Sequence, residues 1–268
     1  FSFQEKILRE KTDLYIIHFQ PLVNQEIINL IKKLKQKNKN CIVIVFSPMV
    51  DQEPELFLQK SQADIAILGE VEATAFELIN LILQYKNKYL QQIIKSETSG
   101  IAFFNQQKFI KNKLRKPILL DDLPFMAHHL LYKNKIAQKN PYQVTSKTVF
   151  VREKIKWGFL LSSRGCPFHC SFCSPSIRNS TGKRYRFQSP KRTVDEIEFL
   201  VKNFQINALS FEDDLFTLNK KRVIEMCQEI INRNIKISWT VATRLDSLDF
   251  ELANWMKKAG CFGMSVGI

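Results

Sequence analysis

The sequence predicts an α/β protein built from two parallel units: part of a doubly wound sheet, followed by the first part of a parallel β/α barrel. Three observations predict this. Residues 1–90 alternate short apolar runs with stretches of helical period, residues 91–155 lose that rhythm, and residues 156–268 regain it. Alternation of strand and helix signals is the mark of parallel sheets, whose strands need helical crossovers.

In the first segment, Leu14-Tyr15-Ile16-Ile17 is a short apolar strand, and Pro21 opens a helix where its missing N–H does no harm. Ile27, Leu30, Ile31 and Leu34 recur at helical spacing and form one buried face. Cys41 to Phe46 is a continuous apolar strand of the kind covered on both faces, which places Cys41 in the core. A short helix is expected over Pro54 to Leu58 and a third strand over Ala63 to Leu68, ended by Gly69-Glu70. The next helix carries Phe76, Ile79 and Ile82 on its apolar side.

Residues 91–155 read as the linker between domains. Ile101 to Ile110 suggests a small hairpin, and Asp121-Asp122-Leu123-Pro124 a turn. His128 and His129 are adjacent, whereas two metal-binding histidines on one helix face would be spaced i, i+4.

From Trp157 the alternation returns. Gly158 to Leu161 is a strand. Thr193 and Glu196 have the spacing of a capping box ahead of Ile197, Leu200, Val201 and Phe204. Ala208 to Phe211 is the next strand. Asn219 caps a helix whose apolar stripe is Val223, Met226, Cys227, Ile230 and Ile231. Ile237 to Val241 is the third strand. Its helix carries Leu252, Trp255 and Met256 and stops at Gly260, and a fourth strand starts at Cys261.

The chemistry concentrates in Cys166-Pro167-Phe168-His169-Cys170-Ser171-Phe172-Cys173, a C-x3-C-x2-C segment at the carboxyl end of a strand, where parallel barrels place reactive groups. Three soft thiolates suit an iron–sulfur cluster with one iron left open. A structural zinc site wants four ligands; His169 could complete one, but it lies between two of the cysteines in a tight loop. Six cysteines in this arrangement do not form a disulfide framework; a reducing compartment is expected.

Net charge is +14, which raises nucleic acid or an anionic surface as partners. The lysines are scattered through the chain, which is the pattern of solvated charge. The denser group Lys183, Arg184, Arg186, Lys191 and Arg192 either meets an anionic substrate or forms a solvated approach to a helix; the second is expected. No apolar run reaches the roughly 18 residues of a membrane span. The start, Phe1-Ser2-Phe3-Gln4, does not read as a signal peptide, and both ends read as cut from a longer protein.

The cysteine segment, with Phe172 between its last two thiols, resembles the cluster motif of the radical S-adenosylmethionine (SAM) superfamily. Arg164-Gly165, Tyr185 to Pro190, Phe211 to Thr217, Trp239 to Asp246 and Ala259 to Ile268 look like the same family. The resemblance implies that Cys166, Cys170 and Cys173 hold a four-iron, four-sulfur (4Fe-4S) cluster, which cleaves SAM reductively to a 5′-deoxyadenosyl radical. Phe172, Asp213, Asp214 and Arg244 would contact SAM. For the two aspartates a turn or helix-entry role stands beside that reading, for Arg244 a structural salt bridge, and for Phe172 simple packing.

Ala63 to Glu72 and Leu120 to Pro124 are similar to the Rossmann-like cobalamin-binding domain that precedes some of these barrels, which brings in cobalamin as a third cofactor near Gly69 and Glu70. Ser47-Pro48-Met49-Val50 stands where that family has a Gly-Gly turn, and D-x-H-x-x-G is absent. The expected organisation is therefore a cobalamin-binding-like domain over 1–90, a linker over 91–155 and a partial radical SAM barrel over 156–268. The expected function is a cytoplasmic enzyme, reduced by flavodoxin or ferredoxin, that performs methyl transfer or oxidative rearrangement on a small molecule or lipid. The rivals are an RNA-modifying methylthiotransferase, which would need more cysteines in the first domain, and a basic metal-binding module for nucleic acid.

Overall fold

The computed structural model describes residues 7–9, 12–19, 24–85, 88–133, 155–171, 173 and 184–267. They fall into two compact units. The first holds the described residues up to Pro117 together with 168–171 and 173; the second holds 118–133, 155–167 and 184–267.

The first unit is built on a sheet ordered β1 (Leu14–His18), β2 (Ile42–Phe46), β3 (Ile65–Ile67), β4 (Ile101–Asn105), β5 (Lys108–Lys111). β1, β2 and β3 are parallel, with Leu14 opposite Ile42 and Ile44 opposite Ile65; β4 and β5 form an antiparallel hairpin on the edge of β3. Alternation along β2 sends Val43 and Val45 to one face and Ile44 to the other, and each face has its own core. Helix α1 (Asn24–Lys37), α2 (Pro48–Gln52) and α3 (Pro54–Ser61) cover the first face through Leu30, Ile31, Leu34, Val50, Phe57 and Leu58. Helix α4 (Val71–Tyr85) and α5 (Tyr89–Ser96) cover the second through Leu78, Ile82 and Ile93. Cys41 is 1% exposed, as core placement requires.

Two expectations change here. The buried stripe of α4 is Thr74, Leu78 and Ile82, while Phe76 is 72% exposed. An almost uniformly apolar helix offers two stripes, and contact with the sheet chooses between them. The expected hairpin exists, but it extends the first sheet: Leu68 N–H donates to Gly100 O at 2.8 Å and Gly100 N–H to Lys113 O at 2.7 Å. Residues 91–117 of the expected linker are thus part of the first unit.

The described residues 118–133 and 155 belong to the second unit. Its sheet is parallel throughout, in the order β11 (Cys261–Gly267), β10 (Ser238–Arg244), β9 (Ala208–Phe211), β6 (Trp157–Leu160). Sequential neighbours joined by α7 (Pro190–Phe204), α8 (Lys220–Asn232) and α9 (Phe250–Lys258) make the winding of the first part of a β/α barrel. The core gathers Val194, Ile197 and Leu200 of α7, Val223, Met226, Cys227 and Ile230 of α8, and Leu252 and Met256 of α9 around Phe211 and Trp239. Trp239 is fully buried, and its indole N–H donates to Ala259 O at 2.8 Å. Ile231, expected on the α8 stripe, is 41% exposed. Gly260 has φ +99°, and a Cβ there would lie 2.2 Å from Ile237 O, so the terminator position admits only glycine.

Helix α7 starts four residues earlier than the capping-box reading. Ser189 is its N-cap and accepts from Arg192 N–H at 3.2 Å, with Pro190 at the first helical position. Pro190 and Ser189 form the stronger start signal. Thr193 and Glu196 therefore lie inside the helix. Glu196 accepts from Met126 N–H at 3.0 Å and pairs with Arg192 at 3.0 Å, and Arg192 also donates to Leu123 O at 2.9 Å. Residues 118–128, preceding the short helix α6 (His128–Lys133), are fastened to the barrel unit in this way. His128 is buried, with Nε2 3.7 Å from Glu196 Oε1.

Candidate cluster-loop site

The cysteine segment follows a short paired neck. After β6 the chain forms β7 (Ser163–Arg164), and it returns as β8 (Arg186–Phe187), paired antiparallel with Ser163 opposite Phe187 and Arg164 opposite Arg186. The neck sits at the carboxyl ends of β6 and β9. There Asp213 and Asp214 follow β9, and Arg244 closes β10. Three of the expected site regions therefore share one edge of one sheet.

Asp213 is 3% exposed and turned inward. Its Oδ1 accepts from Ser162 N–H at 2.7 Å. Its Oδ2 accepts from the hydroxyls of Ser162 at 2.7 Å and Ser163 at 2.5 Å. Burial pushes its carboxyl above the usual range, with Arg222 and the two serines opposing that shift. Asp214 is exposed and accepts from Gly165 N–H at 3.1 Å. Gly165 has φ +87°, the left-handed conformation that turns the chain into Cys166. Both aspartates thus hold the backbone that enters the cysteine segment: the turn-forming reading has a geometry here.

Arg244 forms a two-point pair with Asp246, Nε to Oδ1 at 2.9 Å and Nη2 to Oδ2 at 2.5 Å. This is the structural salt bridge weighed for it, and that pair has to open before the guanidinium can serve a ligand carboxylate. Beside it the hydroxyls of Thr217, Thr243 and Ser247 bond to one another, with Thr217 to Ser247 at 2.6 Å.

Cys166, Cys170 and Cys173 are half-buried and form no disulfide; Cys173 N–H donates to Cys170 O at 3.1 Å in a tight turn. Phe172 lies outside the described residues. His169 is exposed. Among the described residues no three His, Cys, Asp or Glu side chains are gathered into a ready metal-binding set. Site formation and metal binding are coupled, and the donor set itself, three thiols on one short segment with a backbone-pinned entry, suits a cluster in which each thiolate takes its own iron. The other cysteines are of a different kind: burial pushes Cys227 up to about 12 and Cys261 up to about 11, so both stay protonated and unreactive.

In the first unit Gly69 and Glu70 follow β3. Gly69 N–H donates to Asp51 Oδ1 at 3.0 Å, which ties the loops after β2 and β3 together. Ser47 caps α2, accepting from Met49 N–H at 3.3 Å, and Val50 is fully buried. A capped helical turn therefore occupies the place of the Gly-Gly turn.

Sequence reasoning missed Arg222, Ser162 and Ser163. Arg222 is 2% exposed, in the first turn of α8; Nε donates to Gln188 O and Nη2 to Ser162 O, each at 3.0 Å. Its spacing, four residues before Met226 on the apolar stripe, was the available signal. The basic group around it is largely committed to structure: Arg186 donates to Ile118 O at 3.2 Å, Arg192 serves Glu196 and Leu123, and Lys191 pairs with Asp195.

Residues 160–268 match the sequence profile of the Radical SAM superfamily. An uncharacterized methyltransferase of Pyrococcus horikoshii is 31% identical over 240 residues, covering 88% of this chain and 47% of that protein. An anaerobic magnesium-protoporphyrin IX monomethyl ester cyclase of Rubrivivax gelatinosus is 38% identical over 107 residues, covering 39% of this chain and 19% of that protein. The radical SAM methyltransferase TsrM of Kitasatospora setae, solved with cobalamin and a 4Fe-4S cluster bound, superposes with a TM-score of 0.72 at 16% identity, over 98% of this chain and 51% of its own. The chain thus spans about half the length of the Pyrococcus relative and of TsrM.

Proposed function

As the chain belongs to the radical SAM superfamily, we propose that it forms the cluster- and SAM-binding part of a radical SAM enzyme that works by methyl transfer or oxidative rearrangement on a small-molecule or lipid substrate. The observation that carries this reading is the placement of the cysteine segment: it leaves the carboxyl edge of a parallel sheet with its entry pinned by Asp213 and Asp214. Cys166, Cys170 and Cys173 would hold a 4Fe-4S cluster. When bound, the cluster supplies the electron that cleaves SAM to methionine and a 5′-deoxyadenosyl radical, and reduced flavodoxin or ferredoxin supplies that electron in turn. The protein's share is positional. Asp213 and Asp214 set the direction of the segment, and the parallel sheet gives Arg244 and the hydroxyls of Thr217, Thr243 and Ser247 a place at the same edge, where they can orient the polar groups of SAM. Phe172 would pack beside the adenine. The enzyme would work in the reducing cytoplasm; no described helix is long and apolar enough to cross a membrane.

Cobalamin is the third cofactor of the proposal, and the likeness to cobalamin-bound TsrM, which extends over the first unit, supports it. The capped turn at Ser47 removes one close backbone approach, so the polar set of Ser47, Asp51, Gly69 and Glu70 would take its place.

The test is anaerobic reconstitution of the protein with iron and sulfide. A broad visible absorption and release of 5′-deoxyadenosine on reduction with SAM are expected, and both vanish in Cys170→Ala. A Cys170→Ala variant with full cleavage activity overturns the proposal. Titration with cobalamin, followed by its own visible spectrum, tests the first unit separately.

A further inference from the structure

We propose that Arg222 is a positioning residue for the cysteine segment: with Asp213 it clamps the two strands of the neck, and cluster retention depends on that clamp. This rests on the radical SAM reading above. An arginine on the buried stripe of an apolar helix needs partners for its charge and its donors. Here the partners are backbone carbonyls from both sides of the neck. Ser162, which precedes β7, and Gln188, which follows β8, each accept from the one guanidinium at 3.0 Å. Ser162 O also accepts from Gln188 N–H at 2.8 Å, so the two strands meet at the atom that Arg222 holds. Asp213 takes the remaining donors of Ser162 and Ser163 and supplies the nearby negative charge. The guanidinium also faces the rings of Phe187 and Phe216, 5.5 Å and 5.8 Å from their centroids.

The physical consequence is that the neck is closed by groups outside the cluster. Ser162 and Asp213 are separated by 51 residues and Ser162 and Arg222 by 60, so α8, the loop after β9 and the neck are locked as one piece. The three cysteines lie on a segment whose two ends are held at fixed separation by this network. Partners outside the ligand set commonly change metal affinity by about 10- to 100-fold.

The experiment follows iron release from the anaerobically reconstituted chain into excess chelator, by loss of visible absorption, with Tm from circular dichroism on the same samples. Arg222→Met and Asp213→Asn are expected to lose iron about tenfold faster than wild type. Arg222→Lys keeps the charge and reaches one carbonyl, and should fall between. Met226→Ala is the packing control: it opens a cavity one turn along the same helix, lowers Tm and leaves iron release at the wild-type rate. Arg222→Met and Asp213→Asn holding iron like wild type, or releasing it no faster than Met226→Ala at matched Tm, overturns the proposal. Should Arg222→Met fail to fold, Asp213→Asn, with its unchanged volume, carries the comparison. Wild type and Cys170→Ala both failing to take up iron is the separate result that defeats the cluster-binding reading on which this proposal rests.

Discussion

The carboxylate of Asp213 takes both the backbone N–H and the hydroxyl of Ser162, each at 2.7 Å, across 51 residues of sequence. One carboxylate thus joins the carboxyl ends of β6 and β9 and fixes the chain four residues before Cys166. Asp213→Ala would leave the buried serine donors without this acceptor and Arg222 without the neighbouring negative charge. Breaking such a buried charged network costs about 3–5 kcal/mol. Urea unfolding should show a loss of that size, whereas Asp214→Ala, at an exposed position, should lose less than about 1 kcal/mol.

Gly260→Ala tests the end of α9. Its φ of +99° and the 2.2 Å approach of a Cβ to Ile237 O combine strain with a clash against backbone. A loss above the roughly 1–3 kcal/mol of a strained residue is expected, read as a lower Tm.

Glu196 gives a pH dependence of known sign. Burial alone would raise its carboxyl, but the His128 imidazole 3.7 Å away, the Met126 N–H bond and the charge of Arg192 hold it below the usual range. A carboxyl depressed on folding stabilises the native state above its unfolded pKa and loses that contribution as pH falls. Urea midpoints of wild type should therefore fall below about pH 4.3, and Glu196→Gln should flatten that fall.

Asp51 acts in the opposite sense. Burial pushes its carboxyl up to about 6, against the Gly69 N–H bond and the charge of Lys111. The protonated form favours the native state, so the contribution is present at low pH and is lost as pH rises from about 4 to about 6. Asp51→Asn should gain on wild type over that interval in the same urea assay.

Much of the candidate site was legible from residues alone. The C-x3-C-x2-C spacing, the strand that precedes it and the glycine at 165 are local features, and local features survive in sequence. So do Asn219 as a cap, which accepts from Arg222 N–H at 3.0 Å, and Gly260 as a stop. Periodicity also located Leu30, Ile31, Leu34, Met226 and Cys227 in their cores.

What the sequence by itself determined was the order of strands and helices, and with it the parallel strands β1 to β3 and β6, β9, β10 and β11, because hydrophobic period and turn chemistry act over a few residues. Only the tertiary structure decided where polar side chains point and what they hold. Asp213 reads as a ligand contact, with a turn role beside it, until Ser162 and Ser163 are brought opposite it. Arg222 on its apolar stripe has no visible partner until the neck's carbonyls arrive at its guanidinium. Phe76 looks like core until the sheet takes the other stripe of its helix. Burying a polar group is favourable only when its partners are present, and those partners come from segments tens of residues away, which only the folded chain brings together.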